Sequence, residues 1–238
     1  MRVKPINLLD FYNLYNADNI TQQIRLYLGI THSKDYELKD LALLCENLKS
    51  QSSHCHIFEN YYINYKIPQI GKEFDILRIG KKDIVNIELK SQKVDLAKIT
   101  KQLQRNHYYL SFLQKTIYCF TFVSETCVFY YYNETNDDIE TITIKNVIEI
   151  LNNFEYAKQD IDDLFIPSKY LVSPFNNTES FLENKYFLTQ SQEKIKNKIL
   201  QGINESKAKV FSISGQAGTG KTLLTYDIAK SRKSKIFF

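Results

Sequence analysis

The stretch KEFDILRIGKKDIVNIELK, residues 72–90, decides the fold of the N-terminal part of the chain. Its two runs of alternating apolar and polar residues predict two strands joined by a tight turn at Lys81-Lys82. In that register, residues whose numbers sum to 163 face each other, so Asp75 lies opposite Glu88. Gly80 leaves open a pairing shifted by one residue. The sequence therefore predicts that two carboxylates meet across a hairpin.

The same hairpin predicts a face that could hold a divalent cation. Lys90 follows Glu88 by two residues and shares the face of both acids. The opposite face is apolar and predicts a core contact for Phe74, Ile76, Val85, Ile87 and Leu89. Two acids and a lysine on one side of a sheet can hold a metal ion beside a phosphate. The alternative, an exposed strand with a structural Glu–Lys pair, leaves two facing carboxylates without a cation, which is unfavourable.

Length and composition describe a chain with room for a buried core. Its 238 residues are 43% hydrophobic and 24% charged, which argues against disorder. The net charge of +4 permits nucleic-acid binding without requiring it. The four cysteines predict free thiols, and His54-Cys55-His56 is either a soft-metal cluster or a set of loop and strand residues. No signal sequence or apolar span is recognisable, so we expect a cytoplasmic protein with no membrane partner.

Hydrophobic periodicity predicts an α/β fold in which helices flank a mixed sheet. Helices are expected at 20–28, 36–48 and 95–113, and strands at 57–67, within 73–90, at 116–123 and at 127–132, followed by a strand and a helix within 139–151. The aromatic run 129–132 either packs in the core or stacks on nucleobases. We expect one domain over 1–150, a connector over 151–185 and a second domain over 186–238.

The segment 215–222, GQAGTGKT, matches the P-loop pattern G-x-x-x-x-G-K-[ST] at every position. It lies between a predicted strand over 210–214 and a predicted helix over 223–230. In this motif Lys221 reaches the β and γ phosphates of ATP and Thr222 reaches Mg²⁺. The phosphate cradle itself is expected from Gly215, Gly218, Thr219 and Gly220.

ATP turnover needs more than this segment. A second acid must hold Mg²⁺ through water, and a group that orients the attacking water must follow. Residues 223–238 supply one helix and the beginning of a strand, so neither group can be placed. We therefore expect an incomplete P-loop NTPase segment, a piece of a longer motor that does not hydrolyse ATP by itself.

Asp75, twelve intervening residues and then Glu88-Leu89-Lys90 resemble the signature of PD-(D/E)XK nucleases. Gln104 and Tyr108 resemble the Q-x-x-x-Y pattern of the RecB-like branch, and their i,i+4 spacing places them on one helical face. The chain departs from the family pattern because Phe74 stands where proline is usual. The resemblance implies a restriction-endonuclease-like sheet.

The resemblance also implies metal-assisted phosphodiester hydrolysis. Asp75, Glu88 and the carbonyl of Leu89 would bind Mg²⁺ or Mn²⁺, and Lys90 would position or activate the attacking water. Gln104 would orient the lysine or a phosphate, with Tyr108 behind it. Further ligands could come from Glu46 and Glu59, which otherwise read as surface acids.

The peptide Ser173-Pro174-Phe175, the stretch YFLTQSQ at 186–192 and the P-loop resemble the start of the Schlafen-group DNA/RNA helicase domain, a motor of the superfamily 1 type. In that resemblance Gln192 recognises the adenine of ATP; otherwise it is a surface residue of a helix. The two resemblances together imply a nuclease–helicase that acts on nucleic acid, DNA more than RNA, in DNA processing or defence. The alternative is an ATP-gated binding or sensor protein whose nuclease-like domain grips DNA without cutting it. A small P-loop kinase is disfavoured because no lid segment follows.

Overall fold

The structure is a computed structural model of the 238-residue chain and describes residues 4–30, 33–67, 72–158, 160–165, 175, 177–183, 186–204 and 210–232. The chain divides into two compact units. Unit one comprises Met1–Pro68 and Glu73–Ile166, and unit two comprises Gln69–Lys72 and Pro167–Phe238. Within the described ranges, no helix is both long and apolar enough to cross a membrane.

Unit one is built on a six-stranded mixed sheet whose strands lie side by side in chain order. The strands are β1 (Tyr61–Lys66), β2 (Glu73–Ile79), β3 (Asp83–Lys90), β4 (Thr116–Val123), β5 (Val128–Asn133) and β6 (Asp138–Ile142). Neighbouring strands pair antiparallel, except that β3 and β4 are parallel and are joined by the crossover helix α4 (Leu96–Ser111). The predicted mixed sheet with flanking helices is therefore confirmed.

Helices cover both faces of this sheet. Besides α4 they are α1 (Leu8–Asn16), α2 (Gln22–Tyr27), α3 (Asp35–Gln51), α5 (Ile144–Asn152) and α6 (Ile161–Leu164). On β3, Val85 and Ile87 pack in one cluster with α1, α3 and α5, whereas Asn86 and Glu88 make hydrogen bonds to α4. Because side chains alternate along a strand, α3 and α4 lie on opposite faces of the sheet.

The β2–β3 hairpin has the predicted register. Its paired residues run from Ile76–Ile87 to Ile79–Ile84, and each pair of numbers sums to 163. Gly80 does not shift the pairing. Its N–H donates to the carbonyl of Asp83 at 2.8 Å, and a Cβ at this position would lie 2.7 Å from a backbone oxygen. A larger residue would therefore push the turn away from the chain that packs beside it.

Several element ends differ from the predictions for local reasons. The predicted helix 20–28 begins at Gln22, because the hydroxyl of Thr21 accepts a hydrogen bond from the N–H of Ile24 at 3.3 Å. The predicted strand 57–67 divides into a 3₁₀ turn (Cys55–Phe58) and β1, since Asn60 between them adopts a φ of +66°. In β5 the aromatic run is partly core, with Phe129 and Tyr132 buried.

Arg78 joins three elements in the core of unit one. Its side chain is 2% exposed, and its two terminal nitrogens donate to the carbonyls of Leu151 at 3.2 Å and His56 at 2.6 Å. Its guanidinium carbon lies 4.3 Å from the ring centre of Phe154. Leu151 belongs to the last turn of α5, where carbonyl groups lack helical partners and carry partial negative charge. Arg78 therefore ties the 3₁₀ turn and the end of α5 to β2.

Unit two contains α7 (Thr178–Leu182), α8 (Gln190–Asn204) and α9 (Lys221–Ser231), with a small core of Leu188, Ile199, Leu224 and Ile228. Thr189 is the N-cap of α8. Its hydroxyl accepts from the N–H of Gln192 at 3.2 Å, and Gln192 Oε1 accepts from the N–H of Thr189 at 2.8 Å. This reciprocal pair is a capping box, which fixes the start of the helix.

The predicted strand over 210–214 is wrong. These residues have no strand pairing, and Val210 is fully exposed. A strand is stabilised by a neighbouring strand that pairs its backbone groups. The other strand predicted for this unit, 236–238, lies outside the described residues.

Candidate functional site

A cavity of about 400 Å³ opens where β2 begins and β3 ends, beside helix α3. It brings together three residues of the predicted site, Asp75, Leu89 and Lys90. The other polar residues of its wall come from α3, from the loop before it and from the neighbouring strands: Ser33, Glu37, Asp40, Asn64, Glu73 and Ser91. The cavity thus combines several carboxylates with one lysine.

Asp75 lies where β2 separates from its neighbours. It stands next in register after the last paired residues of the hairpin, and its Oδ2 accepts the backbone N–H of Leu89 at 2.9 Å. On the other side, Asn64 of β1 adopts a left-handed φ of +52°, and the β1–β2 ladder pairs the residues before and after it. The strands are therefore locally open around this carboxylate.

Of the two α3 acids in the cavity wall, Glu37 and Asp40, the buried one is Asp40. It is 4% exposed, and it accepts a hydrogen bond from the hydroxyl of Ser91 at 2.5 Å. Glu46 and Glu59, the two further ligands suggested by the sequence, are exposed and lie outside the cavity wall. The sequence does indicate that Asp40 is buried. It precedes Leu44 by four residues and therefore lies on the buried stripe of α3.

Lys90 provides the positive charge in the cavity wall. Its ammonium group has no hydrogen-bond or ion-pair partner among the residues that the structure describes. The group is therefore available to an anionic ligand such as a phosphate.

Glu88 is directed away from the cavity, toward α4. Its carboxylate is 1% exposed and accepts hydrogen bonds at Oε1 from Asn86 Nδ2 at 3.2 Å and Asn106 Nδ2 at 2.7 Å, and at Oε2 from Gln102 Nε2. The two carboxylates therefore do not meet in the cavity: Asp75 lines it, whereas Glu88 is held by the donors that α4 supplies to a buried carboxylate.

Gln102 and Asn106, the partners of Glu88 on α4, are not among the site residues predicted from the sequence. The sequence does contain a signal for Asn106. It follows Ile99 by seven residues and Leu103 by three, so it occupies a position in the apolar stripe of the helix. An amide at such a position must find a hydrogen-bond partner inside the protein.

The predicted pair Gln104 and Tyr108 makes no hydrogen bond to Glu88 in the described structure. Gln104 Nε2 donates to Asp137 Oδ1 at 2.9 Å, and the hydroxyl of Tyr132 donates to the same oxygen at 2.6 Å. These hydrogen bonds, the one from Tyr132 first, hold the pKa of Asp137 below its usual value. Tyr108 packs edge-on against neighbouring aromatic rings, and burial raises its pKa to about 12. Both residues thus contribute to the packing of α4.

The possible soft-metal cluster of His54, Cys55 and His56 lies at the start of the 3₁₀ turn. The rings of His54 and His56 are 5.6 Å apart, and Cys55 between them is exposed. His56 Nε2 lies 3.4 Å from the carbonyl of Asn152. Among the residues described, no three His, Cys, Asp or Glu side chains converge in a way that could jointly hold a metal ion.

In unit two, the segment 215–222 leads directly into α9, which begins at Lys221. Gly218 and Gly220 adopt φ values of +77° and +73°, which residues with a Cβ rarely adopt. Lys221 Nζ donates to the carbonyls of the first two residues of the segment, at 3.0 and 2.7 Å. The lysine therefore lies against the backbone of the loop that the motif predicts to surround a phosphate.

Gln192 contacts the same loop. Its Nε2 donates to the carbonyl of Thr219 at 3.1 Å, and a Cβ added at Gly220 would lie 2.5 Å from that nitrogen. Thr222 is exposed in the first turn of α9. The amide predicted to recognise adenine thus links the start of α8 to this loop.

No protein-family model, curated protein or solved structure matches this chain. Its function must therefore be argued from the chemistry of the two candidate sites. The cavity of unit one offers carboxylate and carbonyl oxygens, which Mg²⁺ and Mn²⁺ prefer, beside a lysine that can pair with phosphate. The loop of unit two offers backbone N–H groups at a helix N-terminus beside a second lysine, a combination suited to phosphate.

Proposed function

We propose that unit one is a metal-dependent nuclease domain of the PD-(D/E)XK type with a restriction-endonuclease-like fold. The observation that carries this proposal is the cavity that unites Asp75, Leu89 and Lys90 with Asp40 of α3. It lies at the open end of the β2–β3 hairpin, whose register is the one predicted. The order of helix, three strands, crossover helix and strand also supports the assignment.

Each polar residue of the cavity has a role in this proposal. Asp75, Asp40 and the carbonyl of Leu89 would hold Mg²⁺ or Mn²⁺, with Glu88 as a further ligand once it leaves its amide partners. The bound metal supplies a more acidic water and stabilises charge on the scissile phosphate. Lys90 would orient the attacking water and neutralise the charge that develops on the phosphate oxygens.

The proposal is tested by incubating the full chain with plasmid, single-stranded DNA and RNA in Mn²⁺, Mg²⁺ or EDTA. We expect cleavage of DNA in Mn²⁺, none in EDTA, and a rate lower by at least about 10²-fold in Asp75→Asn, since the variant loses a charge at the reacting centre. Glu46→Gln removes an exposed acid outside the cavity and serves as the control. Cleavage that persists in EDTA or in Asp75→Asn would contradict the proposal.

A second candidate is an ATP-gated nucleic-acid-binding or sensor protein whose nuclease-like domain does not cleave. The observation that favours it is Glu88, whose buried carboxylate is already hydrogen-bonded to three amide groups. Such a protein would bind fluorescently labelled DNA in Ca²⁺ and leave it intact in Mn²⁺. The cleavage assay therefore separates the two candidates.

For unit two we propose that residues 215–222 bind ATP, in a P-loop segment similar to that of the Schlafen-group helicase domain. The left-handed glycines before α9 and the position of Lys221 support this reading. On binding, Lys221 would exchange the loop carbonyls for the β and γ phosphates, and Thr222 would reach Mg²⁺. Gln192 would offer its amide to the adenine.

Lys221→Ala is expected to weaken ATP binding by more than about tenfold, because a charge-assisted contact to phosphate is lost. Equilibrium dialysis with labelled ATP measures the change, and Lys198→Ala, an exposed lysine of α8, is the control. ATP binding by Lys221→Ala as tight as that by Lys198→Ala would contradict the proposal.

A further inference from the structure

Glu88 is the centre of a buried group of amide side chains between β3 and α4. Asn86 and Asn106, both 0% exposed, donate to its Oε1, and Gln102 donates to its Oε2. The amides also hold one another, since Asn106 Nδ2 donates to Asn86 Oδ1 at 2.7 Å and Asn86 Nδ2 donates to the carbonyl of Ile76 at 3.1 Å. The donors are thus fixed in place around one carboxylate.

This group leaves polar atoms of its own unsatisfied. Asn106 Oδ1 is buried and has no hydrogen-bond partner in the described structure. The same is true of the hydroxyl of Thr121, which stands beside Glu88 in the parallel β3–β4 ladder. A set of residues that only stabilised the core would pair these atoms or replace them with apolar groups, because an unpaired buried polar atom is destabilising.

The neighbouring cavity is lined by Glu37, Asp40, Glu73 and Asp75, but not by Glu88. No three of these described acids converge in a way that could jointly hold a metal ion. Yet Glu88 stands next in register to Asp75 across the hairpin, and it adjoins Leu89, whose N–H holds Asp75. Glu88, once released by the amides, is therefore the acid nearest in the fold to join Asp75 and Asp40 as a third carboxylate ligand.

We propose that Asn86, Gln102 and Asn106 form an amide latch that keeps Glu88 out of the metal site until a divalent cation binds. The latch rests on the proposed nuclease function. A cation that needs Glu88 must compete with three amide donors. Its apparent affinity for the site is therefore the intrinsic affinity multiplied by the fraction of molecules in which Glu88 is free. Gln102 and Asn106 are positioning residues, since they act on the metal only through Glu88.

Gln102→Ala is the variant that tests the latch most directly. Gln102 is partly exposed, and its amide donates to Glu88, so the fold is expected to survive its loss. Removal of one hydrogen bond to a charged group is worth about tenfold in an equilibrium, so Mn²⁺ should bind about tenfold more tightly. Isothermal titration of the full chain with Mn²⁺, without nucleic acid, measures this affinity. Asn136→Ala removes an exposed amide and is the control.

Two further measurements make the test specific to Glu88. In a Glu88→Gln background, Gln102→Ala should leave the Mn²⁺ affinity unchanged, because the two residues act as one unit. Thermal unfolding should show that Gln102→Ala is less stable than wild type without Mn²⁺ and recovers most of that loss in saturating Mn²⁺. Asn106→Ala should repeat the pattern if it folds.

An unchanged Mn²⁺ affinity in Gln102→Ala, with wild-type binding still dependent on Asp75, would overturn the latch and leave the nuclease proposal standing. A weaker affinity would also overturn it, because the amides would then present Glu88 to the metal. If neither wild type nor Gln102→Ala binds Mn²⁺, the nuclease proposal itself fails, and the latch fails with it.

Discussion

Lys90→Ala is expected to lower the rate of Mn²⁺-dependent DNA cleavage by about 10²–10³-fold, the usual effect of removing one group that stabilises charge in a transition state. Its side chain lines the cavity, and its ammonium has no hydrogen-bond or ion-pair partner in the described part of the chain, so the substitution removes no such bond. Single-turnover cleavage of a labelled duplex in Mn²⁺ gives the rate.

The control for this prediction is Lys82→Ala, which removes an exposed lysine from the turn of the same hairpin. DNA affinity measured by fluorescence anisotropy in Ca²⁺ separates binding from catalysis, and we expect Lys90→Ala to retain most of it. Lys90→Arg keeps the charge but changes the shape of the donor, so it should recover only part of the rate. A Lys90→Ala protein that cleaves like Lys82→Ala would remove Lys90 from the reaction.

Arg78→Ala is expected to lower the free energy of unfolding of unit one by about 3–5 kcal/mol. The substitution leaves a cavity beside Phe154 and deprives the carbonyls of Leu151 and His56 of their donor. A loss of this size is a large fraction of the stability of a typical domain. Urea titration followed by tyrosine fluorescence measures it, since the chain has 17 tyrosines and no tryptophan.

Arg78→Met separates the two causes. Methionine keeps much of the packing volume and avoids the cost of a buried charge, so its loss of stability should be less than half of that of Arg78→Ala. The control is Lys81→Ala, which breaks the exposed ion pair with Glu155, where the Lys81 and Glu155 side chains are 58% and 61% exposed. Exposed pairs contribute little, so we expect almost no change. Equal effects of Arg78→Ala and Lys81→Ala would show that Arg78 is not a structural link.

The hairpin could be predicted from the sequence because its information is local. Alternation assigns the faces of β2 and β3, and the short turn at Lys81-Lys82 fixes the register, so the pairs that sum to 163 were accessible. The crossover helix and β4 were equally clear, since α4 has a long apolar stripe and β4 spans the predicted residues 116–123. These are elements whose patterns extend over many residues.

The direction of Glu88 could not be predicted from its own strand. Register gives the partner across the hairpin, but the carboxylate follows the donors that another element supplies, here Asn106 and Gln102 of α4. Asp40 could not be predicted for a related reason. A motif is recognised by residue spacing within one stretch of chain, and this acid comes from a separate helix. The prediction of a strand over 210–214 was wrong because a strand needs a pairing partner, which the local sequence pattern does not reveal.

Every strand of the sheet in unit one lies beside the strand that precedes it in the chain. Except for β3 and β4, which are joined through α4, these pairings close short loops, which costs little chain entropy and favours rapid folding. The sheet can therefore grow one strand at a time, each new strand adding to an edge already in place. The hairpin that carries Asp75 and Lys90 closes the shortest loop between β1 and β4, so we expect it to be among the earliest structured parts during refolding.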